Sequence, residues 1–433
     1  MNAIKGTPSS GLFGATLGFF FGFAAVALFG PTAGKFKQVM PLSPAQIGLL
    51  VAAPALSGSL LRIPFAAWVD TTGGRKPFLL LMVLSLLGMC GLTLVIFTRY
   101  PEGMTAGLYP LLILLGILCG CGIATFSVGI GQVSYWYPMA QQGQALGIFA
   151  GIGNLAPGIF SFLLPLALAS LKLGGSYLAW LIFLAAGTVL YFWIGRNAPF
   201  FQLVAQGIAP EQAKVAAREN AQELFPAGSL KISLAHSART WKTWVLVAIY
   251  FTTFGGFIAM TAWLPVYWTS YFEVSPVRAG FLTALYSILA SLIRVFGGRI
   301  ADRSGGENTA IGSMLVMLAG ALLMGFSQSL PLSVLAEVLM AVGMGVGNAA
   351  VFKLVPQEVP DAVGGAAGWV GGLGAFGGFA IPPLLGAIVK NLGPTGYARG
   401  FLIFAVLALA SLLLAWVLKK TPTPANAQVE APR

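Results

Sequence analysis

The sequence predicts an all-α membrane protein of twelve transmembrane helices in two pseudo-symmetric six-helix bundles, and three observations carry that prediction. Of 433 residues, 57% are hydrophobic and 8% charged, where an average soluble protein carries about 25% Asp, Glu, Lys and Arg. So few charges cannot cover a water-facing surface, which excludes a soluble globular fold. Apolar stretches long enough to cross a bilayer recur along the chain, and features of the first half return in the second. The formal charge of +12, from 24 Lys+Arg against 12 Asp+Glu, is spread thinly, without the basic runs of a nucleic-acid binder.

A helix rises 1.5 Å per residue, so a hydrocarbon core of about 30 Å takes roughly 20 mostly apolar residues. Such stretches fall at 11–34, 44–69, 77–98, 108–135, 144–168, 176–195, 242–267, 277–301, 309–328, 331–354, 364–389 and 398–419. The first is too long for the apolar region of a cleaved signal, so it is expected to remain as span one. One connection is long. It is polar, carries Glu211, Lys214, Arg218, Glu219, Glu223, Lys231 and Arg239, and divides six spans from six. The expected units are an N-terminal bundle at 1–195, a cytoplasmic linker at 196–241, a C-terminal bundle at 242–420 and a cytoplasmic tail at 421–433.

An even number of spans places both termini on one side. Assigning the ends and alternate loops to the cytoplasm gives them 15 Lys+Arg, leaves 7 on the opposite face and puts Arg62 and Arg294 within the membrane. The positive-inside bias therefore makes both termini cytoplasmic. Tyr135, Trp136 and Tyr137 read as an interfacial aromatic belt on that side. Cys90, Cys119 and Cys121 lie in apolar stretches, form no metal-ligand spacing with His236, and read as buried small hydrophobes. No metal or cofactor is expected.

The halves are related. Ser59-Leu60-Leu61-Arg62 recurs as Ser291-Leu292-Ile293-Arg294, 232 residues on, and in each copy an aspartate follows eight residues later, Asp70 and Asp302, then a glycine pair, Gly73-Gly74 and Gly305-Gly306. At an offset of 221, Gly147, Gly151 and Gly153 in span five match Gly368, Gly372 and Gly374 in span eleven. Parallel six-helix repeats place a substrate site at their interface near the bilayer midplane, with alternating access as the expected mechanism.

Arg62 and Arg294 are the candidate site. An arginine at mid-membrane costs about 2.5–3.5 kcal/mol on insertion scales, so two of them call for a counter-anion. Asp70 and Asp302 stand about 12 Å along the helix from their arginines at 1.5 Å per residue. Of the remaining acids, Glu337 alone reads as intramembrane, near the outer end of span ten, and it cannot neutralise both guanidiniums. Guanidinium is planar, permanently charged and offers parallel donors, which suits a small planar oxyanion. Phe126 in span four and Phe254 in span seven supply ring faces, and Tyr250 and Asn154 supply hydrogen-bond donors. Taken singly, each aromatic also fits ordinary helix packing, and the glycines at four-residue spacing fit close helix approach.

The loop Asp70-Thr71-Thr72-Gly73-Gly74-Arg75-Lys76 resembles the signature between helices two and three of the major facilitator superfamily, and Asp302-Arg303-Ser304-Gly305-Gly306 resembles its weaker second copy, although Ala66 and Ala67 stand where an opening glycine is often found. The glycine segments Gly147 to Asn154 and Gly368 to Pro382 resemble the signatures of the nitrate/nitrite porter family, as do Tyr250 to Phe257 and Gly345-Val346-Gly347-Asn348. The resemblance implies that Arg62 and Arg294 grip the anion, Asn154 and Tyr250 hydrogen-bond it, and Phe126 and Phe254 bracket it. It also implies a gating role for Asp70, Arg75 and Asp302, nitrate and nitrite as substrates in nitrate assimilation, and a monomer in the cytoplasmic membrane.

No titratable carboxylate or histidine is evident beside the arginines. Glu337 and Lys353 are the candidates for proton coupling, with the positive-inside reading preferred for Lys353. The expectation is exchange of nitrate for nitrite, with proton symport and carriage of another small monovalent anion as alternatives. A drug exporter would not need two cations without an acid, no constellation of an enzyme is visible, and a sensor that binds without transporting stays open.

Overall fold

The computed structural model describes residues 4–226 and 230–421, so the tail expected beyond residue 421, with Glu430, lies outside the described residues. Within them the chain is helical from end to end. Eleven apolar helical segments are long enough to cross a membrane: Pro8–Ala27, Pro44–Thr72, Arg75–Arg99, Ala106–Trp136, Gln141–Ile194, Trp241–Tyr271, Pro276–Ser304, Gly306–Phe326, Leu330–Glu358, Val363–Arg399 and Leu402–Lys420. The fifth is two spans. Its backbone breaks at Lys172, where φ is 57° and ψ −175°, values no helix accommodates. That break restores twelve, numbered one to twelve below.

The boundaries differ from the expected ones where turn chemistry intervenes. Span one ends near Ala27 instead of 34, and the residues after it form a separate short helix, Ala33–Val39. Spans one and two start on Thr7 and Ser43, whose side chains accept from the third helical N–H in reciprocal capping boxes. The long connection is not featureless: it folds into Pro199–Ala205, Pro210–Glu219 and Leu230–Arg239. The last of these docks on the start of span eleven, where Gly365 N–H donates to Ser233 Oγ at 3.0 Å and Trp369 Nε1 to the Leu234 carbonyl at 3.1 Å.

Lipid gives helices no hydrophobic reason to associate, so their contacts run through small residues, and large apolar side chains turn outward. Leu94, Trp193 and Val406 are each more than 60% exposed on the bundle exterior. Inside, glycines let backbones touch: a Cβ on Gly22 would meet Gly122, and one on Gly120 would strike the Pro54 carbonyl. Cys119 and Cys121 are buried as expected, whereas Cys90 is exposed on the flank of span three. The expected aromatic belt is corrected too. Tyr135 and Trp136 are buried, the first donating to Asp70 Oδ1 at 2.6 Å and the second to the Arg196 carbonyl at 3.1 Å.

The two halves meet on the side opposite the termini. There Gly48 faces the Pro382 carbonyl, Gly386 faces Pro44, Gly30 faces Ala262 and Gly280 faces Ser161, all across the boundary. A cavity of about 450 Å³ remains at that rim, bordered by Pro31, Lys35, Pro165, Pro265 and Pro276, away from the arginines. On the side of the termini, Gly143, Gly147, Gly298 and Gly364 have open space where a side chain would begin. Backbone contact between the halves is thus closest on the side opposite the termini.

Gly73 and Gly305, the paired glycines of the repeat, both adopt positive φ, 75° and 84°, where each helix ends. Gly73 is also crowded: a Cβ would come within 2.5 Å of Asn197, whose side chain accepts from Arg75 N–H and donates to the Thr72 carbonyl. Gly73→Ala is therefore expected to cost about 1–3 kcal/mol, as for a non-glycine residue held in a sparsely populated backbone region. Thermal unfolding in detergent measures this, with Gly147→Ala, beside open space, expected to leave the midpoint unchanged.

Candidate functional site

Arg62 and Arg294 converge from spans two and eight on one aromatic ring. The Arg62 guanidinium carbon lies 4.8 Å from the centroid of Phe126 and 5.0 Å from that of Phe254, while the Arg294 carbon lies 5.9 Å from Phe254 and 5.7 Å from Phe352. Phe254 thus touches both cations, and each arginine has a second ring from its own half. Arg62 is fully buried. Arg294 keeps part of its surface exposed. Among the described residues neither arginine has a carboxylate within salt-bridge distance.

Backbone geometry accounts for how Arg62 is held. Its Nε donates to the Gly58 carbonyl at 2.9 Å and its Nη1 to the Gly371 carbonyl at 3.3 Å. Gly371 lies in a π-helical turn, Val370–Gly374, and a second such turn, Phe251–Gly255, places Tyr250 and Phe254. π turns interrupt the regular ladder of helical hydrogen bonds and recur at functional sites. The two turns face each other: a Cβ on Gly255 would meet the Gly374 carbonyl at 2.6 Å, and one on Gly374 would meet Tyr250 at 2.7 Å.

Polar capacity remains unused at this centre. Arg62 Nη2, Arg294 Nη1, the Tyr250 hydroxyl and Asn154 Oδ1 are buried without a hydrogen-bond partner. Buried polar groups are ordinarily paired, so an unpaired cluster calls for an explanation. The Tyr250 ring stacks on Phe254 at 4.9 Å, and both arginines lie within electrostatic range of its hydroxyl. Asn154 ends the first part of span five, and its carbonyl accepts from Ser291 Oγ at 3.0 Å across the two halves. Phe126 stacks against Phe254 at 5.8 Å.

Five of the six expected binding residues, Arg62, Arg294, Phe126, Tyr250 and Phe254, are joined by contacts at one centre, Asn154 meets the other half through Ser291, and the signature glycines divide. Gly153 abuts Phe19, Gly372 abuts Ile63 and Gly374 abuts Tyr250, so these positions are too tight for a side chain. Gly147 has no neighbour where a Cβ would stand, Gly151 meets Val295 only at 4.0 Å, and Gly368 meets Leu234 at 3.4 Å. The expected gating residues are each tied within their own half. Asp70 accepts from Tyr135, Arg75 donates to the Phe192 carbonyl at 2.7 Å, and Asp302 pairs with Lys353 at 2.9 Å. That last pair gives Lys353 a partner at the span end and removes it from the centre.

Three contributors escaped the sequence reading. Phe352 carries Arg294 as Phe126 carries Arg62, and the offset of 226 between them, with Asn348 one turn earlier, was the available signal. Phe23 stacks parallel to Phe254 at 6.4 Å and 6°. The Gly371 carbonyl had no signal, because a π turn is not written in side-chain periodicity.

Comparison with known proteins agrees with this architecture. The Major Facilitator Superfamily description matches residues 13–277 and 266–433. A protein of Thermus thermophilus named "Probable nitrate/nitrite antiporter NarK1" is 33% identical over 399 residues, 86% of this chain and 83% of its own. Staphylococcus epidermidis has a "Probable nitrate transporter NarT", 29% identical over 95% of this chain and 97% of its own. A "Nitrite extrusion protein" of Bacillus subtilis is 28% identical over 94% and 95%. Among solved structures, the xylose transporter XylE of E. coli superposes with a TM-score of 0.71 at 16% identity, covering 96% of this chain and all of that one.

Because Phe254 serves both cations and Phe126 only one, the two rings are not equivalent. A cation–π contact is worth about 0.5–2 kcal/mol, so Phe254→Leu is expected to weaken anion binding by roughly tenfold or more and Phe126→Leu by less. Titration calorimetry on purified protein distinguishes the two; equal losses would show that the shared ring has no special role.

Proposed function

The chain belongs to the nitrate/nitrite porter family of the major facilitator superfamily, and we propose that it carries nitrate and nitrite across the cytoplasmic membrane by alternating access, exchanging one for the other at the two-arginine centre. It is a transporter, not an enzyme. The observation that carries the site assignment is the pair of guanidiniums from opposite halves sharing Phe254, with unpaired donors and no carboxylate among the described residues at salt-bridge distance.

A planar monovalent oxyanion matches what is unused there. Arg62 Nη2 and Arg294 Nη1 are the free donors, with the Tyr250 hydroxyl as a further donor. The faces of Phe126 and Phe254 exclude water and restrict the ion to a flat shape, and in a low-dielectric site each charge-assisted bond is stronger than in water. The anion supplies the charge that the protein lacks. With it bound, two cations share one negative charge and the spans that carry them can close together; without it, like charges repel across a dry interface. An empty carrier therefore reorients slowly, and movement in one direction is linked to movement in the other.

In this proposal, residues 1–195 and 242–420 rock as two bodies about the centre, with 196–241 joining them on the cytoplasmic side. Both termini lie in the cytoplasm, as the charge bias favours, and the working unit is a monomer. The observed conformation is then open to the cytoplasm. Gly147, Gly151 and Gly368, which have room here, are the surfaces that close when the other face opens, and Asp70, Arg75 and Asp302 exchange their partners within each half for partners across the interface. No cofactor, metal or nucleic acid takes part.

Arg62→Lys and Arg294→Lys keep the charge but lose the planar fork. Each is expected to reduce nitrate–nitrite counterflow in vesicles by about a hundredfold, which corresponds to about 2.7 kcal/mol; near-normal flux in either variant would overturn the clamp. Wild-type vesicles loaded with nitrite are expected to take up labelled nitrate faster than empty ones without a pH gradient, and uptake that strictly required the gradient would overturn exchange. Competition by formate and cyanate measures how far charge and flatness alone decide selection.

A further inference from the structure

Glu337 in span ten is fully buried, and neither carboxyl oxygen has a hydrogen-bond partner. A carboxylate ion in such a place is expensive, and a structural acid would repay its burial through bonds that this one does not make. Its neighbours are already engaged. From span seven, Tyr267 donates to Ser333 Oγ at 3.2 Å; from span eight, Tyr286 donates to Met344 Sδ at 2.8 Å. Both tyrosines lie within electrostatic range of the acid.

Among the described residues no cation lies within salt-bridge distance of it. The charged residues of the spans packed on span ten stand elsewhere. Lys242 of span seven is paired with Glu358, and in span eight Arg278 and Arg294 each lie eight residues from Tyr286, about 12 Å along the helix. Arg299, Asp302, Arg303 and Glu307 lie beyond Arg294, toward the end where Lys353 pairs with Asp302.

A column of rings joins this pocket to the anion centre. Tyr286 stacks on Phe257 at 6.0 Å, Phe257 stacks on Phe254 at 5.8 Å, and Phe254 lies under both arginines. The wall of the acid's pocket and the wall of the anion site are thus parts of one packed stack.

We infer that Glu337 is a proton-binding site whose occupancy is tied to conformation, neutral while the ring stack closes its pocket and released to water when that stack shifts as the halves rock. The proton stays on the carboxyl as long as no acceptor reaches it, and leaves when movement of the Phe254–Phe257–Tyr286 stack admits solvent. External pH then biases the carrier between its two conformations, a control that exchange of two monovalent anions does not itself contain. This inference rests on the proposed carrier cycle for its readout but not for its site.

The test is nitrate–nitrite counterflow in vesicles holding the full chain, with pH equal on both sides and varied together. The wild-type rate is expected to change with pH by up to about tenfold per unit through one proton-linked step. Glu337→Gln, a permanent mimic of the neutral acid, is expected to keep counterflow and lose that dependence, and Glu337→Asp to retain it. A Glu337→Gln variant with the wild-type pH profile would overturn the proposal. Should that variant not fold, infrared spectroscopy of the wild type decides: a carbonyl stretch of a protonated carboxyl at neutral pH, shifted in Glu337→Asp, supports the site, and its absence overturns it. Failure of wild-type counterflow at every pH would count against the carrier cycle, and the infrared band would still decide the proton.

Discussion

Two guanidiniums embedded among apolar helices, with no carboxylate among the described residues to answer them, are the constraint from which the centre of this molecule is built. Each must be partly stabilised by the polypeptide or the helices would not insert, yet not fully satisfied or nothing else would bind. The solution divides the task. Aromatic faces and backbone carbonyls hold the cations, while one nitrogen of each guanidinium is left buried and unpaired. Phe254 is central because a single ring serves both halves.

That solution dictates the irregularity of the helices around it. A straight α-helix satisfies its own carbonyls and presents a uniform surface, which would neither place Tyr250 against Phe254 nor offer the Gly371 carbonyl to Arg62. The paired π turns do both, and they can lie against each other only because Gly255, Gly374 and Gly377 carry no side chain. Glycine density in span eleven is therefore partly a requirement of the site and not merely of helix packing.

The same residue type has a second use farther from the centre. Gly30, Gly48, Gly280 and Gly386 touch backbone across the boundary on the side opposite the termini, whereas Gly143, Gly147, Gly298 and Gly364, on the side of the termini, have open space beside them. The polar residues of the two repeated loops are tied within their own halves, and no ion pair among the described residues joins the halves on the side of the termini. A rocking motion would exchange these two conditions while the arginines and Phe254 stay near the pivot. Glu337 stands apart from that plan, a buried acid connected to it through stacked rings, which is why its protonation reports on conformation.

Much of this was legible in the chain alone. Composition fixes the solvent as lipid, because 8% charged residues cannot cover a water-facing surface; span lengths follow from bilayer thickness, and the recurrence of the Ser-Leu-Leu-Arg pattern reveals the duplicated bundle. The arginines stood out for the same reason they matter, since an unpaired cation in an apolar helix is costly wherever it faces. Only the tertiary structure decided which neighbours they have. Tyr135 and Trp136 look like a membrane belt in sequence but are buried on Asp70 and the Arg196 carbonyl, Lys353 is engaged by Asp302, and Phe352 completes the ring set. Periodicity tells which face of a helix is apolar, but not which partner that face meets or where a turn widens, because those depend on close approach between residues hundreds of positions apart.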